Sequence, residues 1–316
     1  MNPILIAGGD GFIGKKLTEE FLRRKIPVLV IDNNITSTPK KYLDPNFSRI
    51  ECDVCNLDRY SIPKVSGVVH LASIASPLIY KEFPEMVIKS NTIGTQILME
   101  IAKRDQVRFL FASTSEVYGD LLPEKKGEGI SENDISRSRL LTKRSCYSTS
   151  KKMGEELVFN FQRNGGDGTN LRLFNIYGPG MDLKNPGYGR VIPNFIKQIS
   201  HDQKVTIFGN GLQERSFLWI EDAVLAIINL LFYKGSLPPA VNIGHEETIS
   251  INNLAKKVAN ILGKQYTTIN FDLDVGDPLW RKPNIQLIKE LIAWEPQISL
   301  EEGLKKIIFP KLRTSI

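Results

Sequence analysis

The chain has 316 residues, enough for one large α/β domain or two smaller ones. It is 41% hydrophobic and 24% charged, the ordinary balance of a globular protein with a buried core. The formal net charge of +6 is spread along the chain without a block of like charges, which excludes a nucleic-acid-binding tail but suits an anionic small molecule such as a nucleotide.

The cysteines and the hydropathy pattern narrow the class of protein further. The three cysteines are too few, and odd in number, for a disulfide framework. Cys52 and Cys55 form a CxxC pair, but no second ligand pair accompanies it, so no metal site is predicted. No window approaches the roughly 18 apolar residues of a membrane span, and no charged leader precedes the first apolar run. The sequence therefore predicts a cytoplasmic protein with no membrane or nucleic-acid partner.

A strand, a glycine-rich loop, a helix and a second strand follow one another at the N-terminus. The strands are predicted at Pro3–Ala7 and Val28–Ile31, and the amphipathic helix at Lys15–Lys25. Glycines in the loop Gly8–Gly14 permit a tight turn and a close approach of the backbone to a pyrophosphate, which the helix N-terminus then binds. Asp32 follows the second strand, where a carboxylate accepts hydrogen bonds from ribose hydroxyls and repels a 2′-phosphate. This pattern predicts NAD as the cofactor in preference to NADP.

Strands and helices go on alternating as far as residue 178. Further strands are predicted at Arg49–Cys52, Gly67–Leu71, Val107–Ala112 and Thr169–Phe174, and helices at Glu85–Lys103 and Tyr147–Arg163. His70, inside an apolar strand, is interpreted as a packed core residue, and the polar stretch Leu121–Cys146 as a surface excursion over the site. The alternation predicts an α/β fold with a Rossmann-type, doubly wound parallel sheet.

A Gly/Pro-rich segment, Pro179–Gly189, separates this part from shorter and more mixed elements. Helices are predicted at Val191–Ser200, Ile220–Phe232, Ile251–Leu262 and Leu300–Ile308, and strands at Val205–Phe208 and Ala240–Ile243. We therefore expect a cofactor-binding domain at residues 1–178 and a smaller, mixed α/β substrate lobe at residues 179–316, with some exchange of strands and helices between them.

Two stretches have the residue types of a catalytic site. Thr114, Ser115 and Glu116 follow a predicted central strand, and ligands of open α/β sheets bind at the carboxyl ends of the strands. Tyr147 and Lys151 lie four residues apart and so share one face of a helix. A lysine cation one turn away is expected to lower the pKa of the phenol, which then acts as a base toward a sugar hydroxyl that Thr114 orients.

With these motifs in place the sequence resembles the extended short-chain dehydrogenase/reductase family of nucleotide-sugar enzymes. The resemblance covers essentially the whole chain. The motifs are GGDGFIG from Gly8, HLAS from His70, STSEVYG from Ser113, YSTSK from Tyr147, RLFNIYGP from Arg172, ERSFLWIED from Glu214 and RKP from Arg281. Within the family the likeness is greatest to the UDP-glucuronate decarboxylases, through TSEVYGD, RSCY, GRVIPNF and the segment from WRKP to WEP.

The resemblance implies roles for individual residues and a homodimer formed by the two long helices. The catalytic set is Thr114, Ser115, Glu116, Tyr147, Lys151 and Arg281. The NAD-binding set is Gly8, Gly11, Phe12, Ile13, Gly14, Asp32, Asn33, Asp53, Val54, Leu71, Ala72, Ser73, Tyr147 and Lys151. The substrate contacts are Asn175, Arg190 and Arg215. The implied substrate is a nucleotide sugar, most readily a UDP-sugar, which is oxidised at C4 and then decarboxylated.

One departure from the decarboxylase pattern keeps other reactions open. Those enzymes usually carry an acidic pair and a glycine between the tyrosine and the lysine, whereas this chain has Ser148, Thr149 and Ser150. A 4,6-dehydratase would use Glu116 to remove the C5 proton, although Ser115 is a poor acid for the leaving hydroxyl. A C4 epimerase acting on a UDP-sugar or uronate is a further alternative, and a non-catalytic nucleotide-binding regulator is the alternative of a different class.

Overall fold

The structure, a computed structural model, describes residues 1–119, 127–134, 145–181, 190–272 and 278–310, without the side chains of residues 77 and 78. In chain order, β1 to β14 are Ile4–Ala7, Val28–Asp32, Phe47–Glu51, Gly67–His70, Phe109–Thr114, Gly168–Leu173, Ile176–Tyr177, Val205–Phe208, Glu214–Ser216, Leu218–Trp219, Ala240–Ile243, Thr248–Ser250, Thr268–Phe271 and Trp280–Arg281. The helices α1 to α9 are Phe12–Arg23, Pro77–Glu82, Pro84–Asp105, Ser145–Arg163, Val191–Ser200, Ile220–Leu231, Ile251–Leu262, Gln286–Ile292 and Leu300–Ile308. Short 3₁₀ helices span Val54–Arg59 and Ser115–Tyr118.

Seven of these strands form one parallel sheet in the order β11-β6-β5-β4-β1-β2-β3. The strand order reverses between β1 and β4, which is the switch point of a doubly wound sheet, where ligands bind at the carboxyl ends of the strands. This arrangement confirms the predicted fold class. The smaller sheets pair β10 with β7, β13 with β8, and β9 with both β12 and β14.

Alternate residues of each strand point to opposite faces of the central sheet, and helices cover both faces. Ile4 and Ile6 pack in one core with Phe21 of α1 and Ile227 of α6. Leu5 and Ala7 face a second core, which includes Leu98 of α3 and Val158 of α4. Burial on both faces explains why these strands read as continuous apolar runs in the sequence.

The chain beyond residue 178 contributes to both parts of the molecule. β11 adds to the edge of the central sheet beside β6, and α6 packs on that sheet. A separate core contains Tyr177, Phe195, Val205, Leu254 and Leu304. The central sheet contains strands from before and after residue 178. The division of the chain at residue 178 into a cofactor-binding domain and a substrate lobe therefore stays a prediction.

The strand that leads into the predicted catalytic triplet lies two residues later than expected. The sequence predicts Val107–Ala112, whereas β5 is Phe109–Thr114. The Val107 N–H instead donates to the carbonyl of Ala102 at 3.0 Å, because Gln106 ends α3 in the left-handed conformation. Thr114 is therefore the last residue of the strand, fixed by the sheet and not by a loop.

The interpretation of Leu121–Cys146 as a surface excursion is wrong for its central part. Ile130 is fully buried, its N–H donates to the carbonyl of Lys282, and its own carbonyl accepts from the N–H of Asn284, both at 2.8 Å. The partner segment lies about 150 residues further along the chain, so no local pattern could indicate this pairing. Residues 121–126 and 135–144 of the stretch lie outside the described residues.

No helix among the described residues is long and apolar enough to cross a membrane. Cys52, Cys55 and Cys146 are all free thiols, as the sequence predicts. Within the part of the chain that the structure describes, no group of three His, Cys, Asp or Glu side chains is arranged to hold a metal ion.

Candidate active site

The glycine loop after β1 fits tightly between the sheet and the first helix. Gly8 has a φ of +82°, and a Cβ there would lie 2.6 Å from the backbone nitrogen of Ala72. A Cβ on Gly14 would collide with the carbonyl oxygen of Gly8. Larger residues at these two positions would push the loop away from β4 and α1 away from the loop, so both glycines are required by close approach.

The N-terminus of α1 is suited to bind phosphate. Its N-cap is Gly11, which has no side chain to accept the first N–H groups, and its first turn has no acidic residue. The N–H groups of the first turn, which contains Phe12, Ile13 and Gly14, therefore keep a net positive end for an anion. This donor set fits the diphosphate of a dinucleotide.

A cleft beside this helix end collects most of the predicted cofactor residues. Its lining includes Gly8, Gly11, Asp32, Asn33, Asp53, Val54, Leu71, Ala72 and Ser73. Phe12, Ile13 and Gly14 adjoin it as the first turn of α1. Tyr147 and Lys151 are on α4, near the end of β5.

Two carboxylates shape the far end of the cleft. Asp32 accepts hydrogen bonds from the N–H of Asn34 and the hydroxyl of Ser37, both at 2.9 Å, and from the N–H of Asp10 at 3.0 Å. A carboxylate has about four acceptor positions, so capacity remains for a ribose hydroxyl. Asp53 caps the 3₁₀ helix that follows it by accepting from the N–H of Cys55.

The predicted base and its partners come together at the end of β5. Thr114 is 8% exposed, and its hydroxyl lies near enough to the phenol of Tyr147 to lower the pKa of that phenol. Tyr147 is also 8% exposed and stacks on Tyr80, with ring centres 5.4 Å apart and ring planes 4° from parallel. The stacking on Tyr80 fixes the plane of the phenol ring.

Lys151 lies one helical turn after Tyr147 on α4 and is almost completely buried. Its ammonium donates to the carbonyl of Ala112 at 2.6 Å and lies 4.6 Å from the ring centre of Phe111. Its distance to the ring centre of Tyr147 is 5.9 Å. Burial lowers the pKa of Lys151 to about 7.

The pKa of Tyr147 is shifted in the opposite direction from the sequence-based expectation. Burial first, and the Glu116 carboxylate second, raise the pKa of the phenol above its ordinary value, while the hydrogen bond with Thr114 lowers it. The expected lowering by Lys151 does not dominate because the site is dry, which disfavours the charged form of both groups. A phenolate formed in this place would be a strong base.

The side chain of Arg281, far along the chain, reaches the end of β5. Arg281 of β14 is 6% exposed, and its guanidinium donates to the backbone carbonyl of Ser115. Ser115 begins the 3₁₀ helix that also contains Glu116, whose charge acts on Tyr147. The carboxylate that acts on the phenol and a buried guanidinium therefore both lie on the short segment that follows β5.

The predicted substrate residues lie in three places: after β6, on the small sheet that contains β9, and at the start of α5. Asn175 follows β6 and donates to the carbonyl of Ser216 at 2.9 Å. Arg215 of β9 stands directly beside Arg281 in the register between β9 and β14. Arg190 is the N-cap residue of α5 and is half-buried.

A partly buried hydrogen-bond network beyond β5 was missing from the sequence-based predictions. The guanidinium of Arg172 donates twice to the carboxylate of Glu155, at 3.0 and 2.8 Å, and once to the hydroxyl of Tyr118 at 3.0 Å. Tyr118 in turn donates to Asn242 of β11 at 2.8 Å. The available signals were the RLFNIYGP motif, which begins at Arg172, and the position of Glu155 one helical turn after Lys151.

Sequence comparisons with known proteins find relatives that match nearly the whole chain. The model of the NAD dependent epimerase/dehydratase family matches residues 4–244. UDP-glucuronic acid decarboxylase 3 of Arabidopsis thaliana is 36% identical over 309 residues, which is 95% of this chain and 86% of that protein. UDP-glucuronic acid decarboxylase 1 of Xenopus tropicalis is 36% identical over 310 residues, 96% of this chain and 71% of that protein.

Solved structures agree with the sequence comparisons. The UDP-glucuronic acid 4-epimerase of Bacillus cereus, in complex with UDP-glucuronic acid and NAD, is 28% identical with a TM-score of 0.84, covering 98% of this chain and 99% of that one. The UDP-glucose 4-epimerase of Thermotoga maritima, solved with UDP-glucose, is 28% identical with a TM-score of 0.87 over the same shares. These matches confirm the resemblance and the prediction of NAD as the cofactor: the chain belongs to the NAD-dependent epimerase/dehydratase family.

Proposed function

We propose that the protein decarboxylates UDP-glucuronate, after oxidation at C4, to UDP-xylose or the UDP-4-keto-pentose. The observation on which this rests most is the buried Arg281 beside Ser115 and Glu116, at the strand end that also carries Thr114. A buried guanidinium at this point suits a sugar that carries a carboxylate, because arginine binds carboxylates through charge-assisted hydrogen bonds. The decarboxylase names of relatives 36% identical over most of the chain support the same reaction.

The residues that would hold NAD are the glycine loop with the first turn of α1, Asp32, and the cleft walls from Asp53–Val54 and Leu71–Ser73. The α1 N-terminus would bind the diphosphate and Asp32 the adenosine ribose. Bound NAD supplies a positively charged ring that accepts hydride from C4 of the sugar and later returns it. All other steps fall to side chains of this protein.

In the first step Tyr147 takes the proton of the 4-hydroxyl while the C4–H bond breaks. Thr114, whose hydroxyl lies near the phenol, holds that 4-hydroxyl in line. Lys151, 5.9 Å from the phenol ring centre, supplies a positive charge when protonated and favours the phenolate. The product of this step is a 4-ketone.

In the second step the C5–C6 bond breaks. The ketone lies β to the carboxylate, so carbon dioxide leaves and the electron pair moves to the ketone oxygen as an enolate. Tyr147, now protonated, donates a hydrogen bond to that oxygen. Ser115 and Arg281 orient the carboxylate and assist reprotonation of C5, and Glu116 lies beside C5.

The nucleotide part of the substrate would be held mainly by residues after 178, together with Asn175, which lies between β6 and β7. In this proposal Asn175 and Arg190 contact the nucleotide, and Arg215 clamps diphosphate or ribose oxygens with its planar guanidinium. The register that sets Arg215 beside Arg281 would keep the diphosphate and carboxylate contacts at a fixed separation. Residues 1–178 would then serve mainly NAD, and residues 179–316 mainly the nucleotide sugar.

A second candidate is C4 epimerisation of the same uronate, favoured by the structural likeness to the Bacillus cereus UDP-glucuronic acid 4-epimerase. The two reactions share the oxidation at C4 and differ in the fate of the 4-ketone. Dehydration is less favoured because Ser115 is too weak an acid to protonate a leaving hydroxyl.

Product mass separates these reactions. The full-length protein is incubated with UDP-glucuronate and, in parallel, with UDP-glucose. We expect UDP-glucuronate to become lighter by one carbon dioxide and UDP-glucose to stay unchanged. A uronate product of unchanged mass but altered chromatographic retention would replace decarboxylation with epimerisation, and loss of water from the hexose would replace it with dehydration.

We also propose a cytoplasmic homodimer formed through α3 and α4. Ile88 and Ile93 of α3 are 39% and 42% exposed, and Met153 of α4 is 51% exposed. Exposed apolar side chains on two packed helices favour contact with a second copy of the chain.

A further inference from the structure

The glycine loop contains a buried carboxylate, Asp10, which takes no part in the proposed reaction. Asp10 is 2% exposed and forms an ion pair with Arg49, with 2.8 Å between Oδ2 and Nε. The same carboxylate accepts from the side-chain amide of Asn34 at 3.2 Å and from the N–H of Lys40 at 3.3 Å. Because a buried charge is retained only when it is well paired, Arg49 is its main compensation.

Arg49 stands close to the residue proposed to read the adenosine ribose. Its guanidinium donates to the side-chain oxygen of Asn34, whose backbone N–H donates to Asp32 at 2.9 Å. The backbone N–H of Asp10 donates to the other oxygen of Asp32 at 3.0 Å. The guanidinium is thus one hydrogen-bonded residue away from Asp32.

This position matters for the choice of cofactor. NADP differs from NAD by a phosphate on the ribose 2′-oxygen, the position that Asp32 is proposed to contact. Arginine is the side chain best suited to hold a phosphate, through two parallel charge-assisted hydrogen bonds. An Arg49 that is no longer paired with Asp10 would offset the repulsion that Asp32 exerts on such a phosphate.

We propose that Asp10 keeps the cleft selective for NAD by pairing with Arg49 and so withholding the guanidinium from a 2′-phosphate. Asp10 acts through Arg49 and touches no reacting atom. This proposal rests on NAD binding in the cleft, but not on which reaction comes after C4 oxidation.

Competitive loading tests the selectivity directly. Full-length wild type and variants are incubated with equal concentrations of NAD⁺ and NADP⁺, separated from free nucleotide, and the bound nucleotides are extracted and quantified by chromatography. The variants are Asp10→Asn, Asp10→Ala and the double variant Asp10→Asn with Arg49→Gln. The matched control is Glu51→Gln, which removes the other carboxylate partner of Arg49, 3.0 Å away but 64% exposed.

Asp10→Asn is expected to raise the bound NADP:NAD ratio by about tenfold, the effect of one charge-assisted hydrogen bond gained by the phosphate. The double variant should return toward the wild-type ratio, and Glu51→Gln should leave it unchanged. Asp10→Ala, which leaves no unpaired polar atom of its own, should reproduce the shift if Asp10→Asn folds poorly. If Asp10 had a purely structural role, its variants would weaken the binding of NAD and of NADP equally.

An unchanged ratio in folded Asp10 variants that still bind NAD would overturn the selectivity proposal alone. A ratio that rises but stays high in the double variant would also overturn it, because Arg49 would then have no part in the shift. Wild type that takes up neither nucleotide would contradict the cofactor site itself.

Discussion

Tyr147 and Lys151 lie in an environment that disfavours charge on either side chain. Burial raises the pKa of the phenol and lowers the pKa of the ammonium to about 7. Glu116 adds to the effect on Tyr147, so the carboxylate proposed to act at C5 also strengthens the base that acts at C4. The two halves of the proposed reaction are therefore electrostatically linked at the level of single residues.

His70 shows the same effect of burial without a proposed chemical role. It is fully buried, its Nε2 lies 3.1 Å from the carbonyl of Ser90, and burial lowers its pKa to about 3. These observations confirm its interpretation as a packed core residue. The imidazole is therefore neutral at pH 7.

His70→Gln is expected to reduce the sensitivity of the protein to acid. An unfolded histidine takes up a proton below about pH 6.5, whereas folded His70 does so only near 3, so this residue makes stability fall as pH decreases through that window, by at most about 1.4 kcal/mol per pH unit. Urea unfolding of both proteins at pH 7 and pH 4.5 measures the difference. An equal loss of stability in wild type and variant would contradict the pKa assigned to His70.

The contact between α3 and α4 holds the catalytic turn in place. Asn91 of α3 donates to the hydroxyl of Ser150 at 2.9 Å, and that hydroxyl donates to the carbonyl of Tyr147 at 3.1 Å. Ser150 is one of the three residues in which the chain departs from the usual decarboxylase pattern. In this protein it ties the turn between Tyr147 and Lys151 to the neighbouring helix.

Gly154→Ala is expected to destabilise this contact by about 1–3 kcal/mol, the usual cost of overpacking. A Cβ at Gly154 would collide with the ring of Phe111 and lie 2.8 Å from the carbonyl oxygen of Asn91. The free energy of unfolding in urea measures the effect. Glu156→Ala, on the exposed side of the same helix, is the control and should change stability by less than about 0.5 kcal/mol. Equal stability of the Gly154 variant and the control would refute the close approach.

Sequence reasoning located the long elements of the fold better than the short ones. The unit β1–α1–β2 is visible because its glycine loop and apolar runs are local signals. The strands β9, β12 and β14 have two or three residues each, too few for a period to show, and their partners lie far away in the chain. Arg281 could be connected with Ser115 only through the family resemblance, since 166 residues separate them.

At the scale of the whole molecule, the two parts of the chain are interlocked through the central sheet. β11 closes the edge of that sheet, and Asn242 of this strand donates to the carbonyl of Ile130 at 2.8 Å. Ile130 is bonded in turn to the segment just after Arg281. The parts proposed to bind NAD and substrate are thus joined by buried contacts close to the active site.

Ile93→Glu is expected to convert the proposed homodimer into monomers, because a charge would have to be buried at the α3–α4 surface. Sedimentation equilibrium of the purified protein measures the mass. Ile269→Glu is a matched control on β13, since Ile269 is 41% exposed against 42% for Ile93. A wild-type monomer, or a dimer that survives Ile93→Glu, would refute the proposed interface.

Release of labelled carbon dioxide is the most direct measurement of the central claim, that Tyr147 starts an oxidation which ends in decarboxylation. UDP-glucuronate carrying ¹³C at C6 is given to wild type, Tyr147→Phe and the control Tyr60→Phe, whose side chain is exposed on the surface. We predict labelled carbon dioxide from wild type and Tyr60→Phe, and a rate at least about a hundredfold lower from Tyr147→Phe with NAD still bound. Labelled carbon dioxide released at the wild-type rate by Tyr147→Phe, or none released by wild type, would contradict it.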